Sequence, residues 1–410
     1  MCRGAWVGVS FILVIRPAST PDSSPNLPVR PNPGDRAPAL AICLVYAGVF
    51  AVFGLHGPYL PVWLSARGLS ESQISWVMGA PLVLRLLFTP LIGHFADSRA
   101  DRRPLLLSLV AASMLAVLAM SRLSGFWPLL LATCIMLISF QPIQPVIDAT
   151  VGSLIRRKLV GDIGRLRLWG SVSFAVVAVA AGFVLERWGI ETVFSGYFLL
   201  LSGAFLAILL LPSAGGERVR VITGPFALWR RPALLVVLVS VALINASQAM
   251  FFGFGSVHMI RLGYPQWSIG ILWTLAVVAE IVVLWFAPGM LARLGAHRLL
   301  LISAACTLLR WLGMAFDPPM AGTGLLQLLH AGTLSCTYLG LMAFIQRLVE
   351  DDAAARAQSA AVTMTGLMMA VMMVVTGPVY QAFGGQAYLV AAVLPALAFG
   401  LLIIARRRLA

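Results

Sequence analysis

"PSAGGERVRVITGPFALWRRP", residues 212–232, is the longest polar break between apolar runs in this chain, and its position sets how the rest divides. Six apolar runs precede it, near 39–64, 72–93, 104–121, 126–152, 168–185 and 192–211. Six follow, near 232–260, 267–291, 298–316, 321–346, 357–382 and 387–405. Each approaches the roughly 17–25 residues that cross bilayer hydrocarbon. Backbone groups at that depth have no water to bond, so the spans are predicted to be helices. The expectation is an all-α membrane protein with twelve transmembrane helices in two pseudo-symmetric six-helix bundles. The bundles cover 39–212 and 232–410, with a cytoplasmic connector at 213–231 and an N-terminal extension at 1–38. That extension contains the Pro- and Ser-rich "RPASTPDSSPNLPVRPNPGDRAP" (16–38) and is predicted to be disordered.

Composition agrees. The 410 residues are 60% hydrophobic and 11% charged, where soluble domains carry roughly 25% charged residues. The net charge of +14 would suit a nucleic-acid partner if it were spread over a surface, but it is not. Most Lys and Arg residues fall before the first span, in every second loop and at the C-terminal end. Arg67, Arg122, Arg187 and Arg261 lie in the other loops, and Arg85 and Arg310 lie within spans. This asymmetry orients helices in a membrane and predicts both ends to be cytoplasmic. It signals topology; no nucleic acid is expected, and the partner is the lipid bilayer. Five cysteines show neither a disulfide framework nor metal-ligand spacing. No G-x-S-x-G, H-E-x-x-H, P-loop or catalytic acid pair is present, so neither an enzyme nor a cofactor is expected.

The halves echo each other. "FGLHGPYLPVWLSARGLSESQISWVM" (53–78) joins spans one and two as "ALINASQAMFFGFGSVHMIRLGYPQWSIGILW" (242–273) joins spans seven and eight. Gly68 matches Gly263 and Ile74 matches Ile269 at one offset, which also pairs Arg85 with Glu280. Internal repeats of this kind mark transporters whose site lies between the repeats.

The loop after span two reads "GHFADSRADRR" (93–103). Gly93 is expected to permit a tight helix exit and Asp97 to accept hydrogen bonds at a neighbouring helix N-terminus, while Arg99, Arg102 and Arg103 hold the inner face. This pattern resembles the signature loop of the major facilitator superfamily, where it serves the conformational switch. The second-half counterpart, "GMLARLGAHR" (289–298), lacks the acid. A closer resemblance covers roughly 39–405. "GRLRLWGS" (164–171), "PIQPVIDA" (142–149), "GYPQWSIGILWTLAVVAE" (263–280), "LLRW" (308–311) and "LLHAGT" (328–333) are similar to the 3-phenylpropionate permease subfamily, a relative of the lactose-type proton symporters. The resemblance implies proton-driven uptake of a small organic solute, an aromatic monocarboxylate such as 3-phenylpropionate, by a monomer in a bacterial inner membrane. It places Glu280, Arg310 and His330 at the lactose-type positions for proton coupling or substrate binding, and Arg167 at the basic residue opening helix five. The carboxylate that those carriers place one turn after the helix-ten His is Thr333 here.

The residues support a related reading by themselves. Among acids only Asp148 and Glu280 fall within the predicted spans, and among arginines only Arg85 and Arg310. Buried charges are tolerated when they balance. Glu280, in "TLAVVAEIVVLWF" (274–286), is either a structural ion-pair partner of Arg310 or Arg85, or a proton carrier. Asp148 follows Gln141 and Gln144 on a span broken by Pro142 and Pro145. It either faces a cavity, or caps a loop and pairs with Arg156, Arg165 or Arg167. His330 shares a polar face with Gln327 and Thr337, which also suits a packing role, and His258 reads as interfacial. Arg85, Asp148, Arg167, Asn245, Gln248, Phe50 and Phe53 are the candidate substrate contacts, with Phe251, Phe252, Phe254 and Tyr59 adding aromatic wall. A neutral solute, a nucleoside or an oligosaccharide, is the alternative cargo. A drug/proton antiporter is disfavoured because "GSVSFAVVAVAAGF" (170–183) lacks the Gly-Pro motif of that group.

Overall fold

The computed structural model describes residues 36–99, 101–157, 159–160, 163–212, 231–349 and 351–409. The extension through residue 35 and connector residues 213–230 lie outside the described residues. Every regular element among the described residues is helical. The N-terminal group comprises α1 (Arg36–Ala66), α2 (Glu71–Asp97), α3 (Arg103–Arg122), α4 (Phe126–Phe140), α5 (Ile143–Arg156), α6 (Ile163–Trp188) and α7 (Val193–Leu209). The C-terminal group comprises α8 (Pro232–Ala246), α9 (Ala249–Arg261), α10 (Gln266–Trp285), α11 (Ala287–Met314), α12 (Met320–Leu348), α13 (Asp351–Phe383), α14 (Ala387–Ile404) and the short α15 (Arg406–Leu409). Eleven helical stretches among the described residues are long and apolar enough to cross a membrane. The last of these, Arg356–Ile404, runs through α13, a 3-10 turn at Gly384–Gln386 and α14.

Local chemistry fixes the boundaries. α2 opens on a reciprocal capping box between Ser70 and Gln73. The matched glycines of the sequence repeat are both turn residues in the left-handed region, Gly68 at φ 78° and Gly263 at φ 81°, a conformation open to glycine at little cost. The repeat therefore reflects a shared turn.

Several predicted boundaries move. The fourth span is two helices, parted at Gln141–Pro142, where proline has no amide to donate. The seventh is parted at Ser247–Gln248, where the Ser247 hydroxyl donates to the Ile244 carbonyl and accepts from Trp311 Nε1. α2 continues through Gly93 to Asp97, so Gly93 is a helical residue and the exit falls at Ser98. α6 starts at Ile163, which brings Arg165 and Arg167 into the helix. α10 stops at Trp285, short of the predicted 291, and α11 follows at once with a bend at Gly295, φ 72°.

Within the N-terminal group α1 packs on α6 and α7, and α3 on α4 and α7. Within the C-terminal group α11 packs on α12 and α14, and α8 on α13 and α14. The groups meet chiefly at α2 with α13, α6 with α10 and α1 with α9. Lipid supplies no hydrophobic drive between helices, so close backbone approach at small residues matters there. A Cβ on Gly270 of α10 would lie 2.0 Å from the Ala178 carbonyl oxygen of α6, and one on Gly377 of α13 would lie 2.1 Å from Ser75 Oγ of α2. Polar bonds reinforce the same end of the seam. Ser75 Oγ donates to the Val374 carbonyl at 3.2 Å, Ser72 Oγ to Gln381 Oε1 at 2.7 Å, and the Trp267 amide to Glu186 Oε2 at 3.0 Å. Arg261 pairs with Glu71 across the groups. The two groups are therefore sealed together at the end reached by the turns at Gly68, Gly189 and Gly263.

Candidate transport site

Arg310 on α11 is fully buried. Its Nη1 donates to Gln248 Oε1 at 2.8 Å and to His330 Nδ1 at 2.9 Å, and its Nη2 donates to Gln327 Oε1 at 2.5 Å. The guanidinium carbon lies 4.6 Å from the Phe251 ring centroid and 4.5 Å from that of Trp311. A guanidinium has only donors, so His330 Nδ1 accepts and the imidazole is neutral with its proton on Nε2. Protonation at Nδ1 would expel Arg310. Every polar partner of Arg310 is neutral, and no carboxylate among the described residues lies within ion-pair distance of it.

Glu280 is 2% exposed on α10, away from the outer flank, and its backbone carbonyl accepts from Ser335 Oγ of α12 at 3.4 Å. Of the two arginines expected as partners for Glu280, Arg310 and Arg85, Arg310 is held instead by amides from α12 and from the break between α8 and α9. The position of Thr333 is filled by hydroxyls: Thr307 Oγ1 donates to Thr333 Oγ1 at 3.0 Å, and Ser303 Oγ donates to the Thr333 carbonyl at 2.6 Å.

The N-terminal group holds a second centre. Asp148 on α5 accepts from Tyr46 Oη at 2.7 Å and lies 3.7 Å from Arg167 Nη1. Arg167 sits over the Phe50 ring at 5.5 Å, and the Phe50, Phe53 and Phe140 rings continue edge to face with centroids 5.9 and 5.1 Å apart. The pairing alternative for Asp148 is the one observed, with Arg167 as partner. Arg167 thereby joins Arg85 and Arg310 as a base held among helices, which overturns the count of two acids and two bases. Arg85 is also buried, and its Nη1 donates to Gln141 Oε1 at 3.3 Å. Both interrupted spans thus present, at their break, a glutamine whose oxygen is taken by a buried arginine.

Other candidates lie elsewhere. Asn245 turns back and donates to the Val241 carbonyl of its own helix at 2.9 Å. Asp97 accepts from Arg102 Nη2 at 2.9 Å, at the N-terminus of α3, and Arg99 is exposed. Arg103 chelates Asp101, and its hydrogen bonds hold the Asp101 carboxyl below the usual range. His258 is buried near the end of α9: Nδ1 lies 2.9 Å from Tyr380 Oη and Nε2 3.0 Å from Asp317 Oδ1. Phe254 stacks on Tyr380 in that cluster, apart from Arg310. Sequence reading passed over Tyr46, Trp273 and Trp311, which look like ordinary span aromatics until their polar atoms or neighbours are seen.

The profile of the MFS_1 like family matches residues 40–390. This chain belongs to that family. It is a multi-pass membrane transporter and not an enzyme. It is 29% identical over 373 residues to a probable 3-phenylpropionic acid transporter of Escherichia coli (strain K12), covering 87% of this chain and 95% of that protein. It is 31% identical over 288 residues to a maltose permease of Geobacillus stearothermophilus, covering 68% and 71%. Among solved structures, the nucleoside transporter NupG superposes with a TM-score of 0.76 at 15% identity, covering 89% of this chain and 97% of that one. A bacterial homolog to the human lysosomal transporter Spinster, in an inward-facing and unoccupied conformation, gives 0.69 at 13% identity, covering 92% and 98%.

Proposed function

We propose that this chain takes up a small aromatic monocarboxylate together with a proton, by alternating access of two six-helix halves, 39–212 and 232–410, with α13 and α14 as separate spans. In this reading it works as a monomer in a bacterial inner membrane with both ends cytoplasmic. The observation that carries the reading is the buried charge. Arg85, Arg167 and Arg310 stand against Asp148 and Glu280, an excess of one positive charge among the helices. An unbalanced charge at that depth is costly, and a passenger carboxylate offsets the positive charge that protonating Glu280 would add. The rings around it, Phe50, Phe53, Phe251 and Trp311, suit a flat hydrocarbon body. The 3-phenylpropionic acid transporter relative supports the same cargo.

Glu280 is the proton carrier in this reading, because His330 Nδ1 already accepts from Arg310. The proton neutralises Glu280 while the passenger brings its own negative charge, so the loaded and empty carriers have the same net charge. Both can then pass through the closed intermediate at similar electrostatic cost. The motif loop 93–103 acts at the inner end of α2, where the Asp97–Arg102 pair braces the exit against α3.

The test is uptake into liposomes with an imposed pH gradient, using labelled 3-phenylpropionate, maltose and uridine. Accumulation of the aromatic acid alone is expected. Glu280→Gln should keep exchange of labelled for unlabelled acid but lose accumulation; normal accumulation by that variant refutes Glu280 as the carrier. The amides of Gln141, Gln248 and Gln327 favour a second reading, a neutral solute, which sugar or nucleoside uptake would establish.

A further inference from the structure

Arg310 holds an anomaly that the transport reading does not use. Three of its four Nη–H groups go to the oxygens of Gln248 and Gln327 and to His330, all neutral, while its Nε is buried and has no hydrogen-bond partner. Gln248 and Gln327 are themselves buried, and with their oxygens turned to Arg310 their amide nitrogens, Nε2 in each, also lack partners. Three groups of unsatisfied N–H donors therefore surround one buried cation. Leaving a buried donor unmade is costly, and here the cost falls three times at one place, on donors only. What would satisfy Nε and the Gln327 amide together is an acceptor with several lone pairs and a negative charge.

From this the geometry points to a carboxylate subsite on the Nε–Nη2 edge of Arg310, with Gln327 as a displaceable amide. It rests on the reading of the cargo as an organic acid. A carboxylate takes a guanidinium in a two-point fork through Nε–H and one Nη–H. Nε is open, and Nη2 is occupied by Gln327 Oε1. The incoming carboxylate displaces that oxygen. The freed Gln327 amide rotates to present its Nε2, and Gln248, beside the break in the seventh span, keeps Nη1 in place. Gln327 thus guards the cation when the site is empty and donates to the ligand when it is full. The site selects acids over their neutral amides, because a carboxamide places its own N–H2 against a donor.

The test uses the full-length protein in detergent and compares equilibrium binding of 3-phenylpropionate with that of its neutral isostere 3-phenylpropanamide. The wild type should favour the acid by at least about tenfold, the worth of a charged hydrogen bond. Gln327→Glu supplies a permanent internal carboxylate and should remove the preference for acid while leaving the thermal midpoint unchanged or raised. Arg310→Gln should remove the preference as well. Arg310→Lys, which keeps the charge without the fork, should retain part of it and serves if Arg310→Gln does not fold. Acid binding by Gln327→Glu and Arg310→Lys equal to wild type overturns the subsite. Wild-type binding of hexanoate but no aromatic acid refutes the aromatic cargo and leaves the subsite to be judged on hexanoate in the same variants. Binding of no carboxylate by the wild type refutes both.

Discussion

Replacing Gly270 by alanine adds one methyl group where the seam has no room for it. The new Cβ would lie 2.0 Å from the Ala178 carbonyl oxygen, 2.6 Å from its carbon and 2.8 Å from Tyr59 Oη. Ordinary contact begins at 3.4 Å, so α10 must retreat from α6 by more than about 1 Å, as overlap with backbone cannot be relieved by a rotamer change. Overpacking of this size costs about 1–3 kcal/mol, and only while the seam is closed. The gain in helix propensity from glycine to alanine, about 0.5–1 kcal/mol, is present whether the seam is open or closed and cancels. The ratio of closed to open protein at this end should therefore fall by about 5–150-fold. In a cysteine-free background, Ser75→Cys reports the change, since Ser75 is fully buried against α13 when the end is sealed. Its labelling by a membrane-impermeant maleimide should accelerate by that factor in Gly270→Ala, and turnover should fall. Gly203→Ala is the control, because a Cβ there meets nothing within 4 Å. Equal labelling rates in the Gly270 and Gly203 variants would refute the view that this contact sets the closed state.

Asp148→Asn should lower the unfolding midpoint by leaving Arg167 without its acid. The side chains are 16% and 11% exposed and 3.7 Å apart, so the loss is at most about 3 kcal/mol, and adding Arg167→Gln should recover part of it in a thermal melt. Arg261→Gln removes the pair with Glu71, whose side chains are 46% and 18% exposed. Screening limits such a pair to about 1 kcal/mol, so transport should change by less than about fivefold and become less salt-sensitive. If loaded and empty carriers have equal charge, an imposed membrane potential without a pH gradient should drive no uptake in liposomes, whereas a pH gradient without a potential should.

Which parts of this were legible in sequence follows from range. The spans follow from hydropathy alone, because a helix in lipid satisfies its own backbone. The turns at Gly68 and Gly263 were visible as a repeat because a positive φ admits few residues other than glycine. Partner choice was not visible. Glu280 looked like an ion-pair partner of Arg310 or Arg85 because charge balance is a sum over the chain, whereas the actual partners of Arg310 depend on where the seventh span breaks and which face of α12 turns inward. Arg167 fell just outside the predicted span, 168–185, because hydropathy dips at "GRLRLWGS" although the helix has already begun at Ile163. Gly270 and Gly377 gave no signal, since a glycine at a close crossing has the same letter as one facing lipid.

In the proposed cycle, proton and passenger are linked without touching. Gln327 and His330, which hold Arg310, lie on α12, and so does Ser335, whose hydroxyl reaches the Glu280 carbonyl. One helix therefore meets both centres within little more than two turns. α12 in turn packs on α10 and α11, and α10 is the helix that closes the seam against α6. A carboxylate displacing Gln327 acts on α12 from one side, and a proton on Glu280 changes what α10 must satisfy on the other. Because α10 can approach α6 only within the tolerance that Gly270 allows, small shifts of α10 relative to α12 translate into an open or closed seam. Coupling of this kind needs a two-state element biased by both sites, and the proposed cycle assigns that part to the α10–α12 pair. A lone ion pair between Glu280 and Arg310 would join the charges but leave the seam indifferent to either.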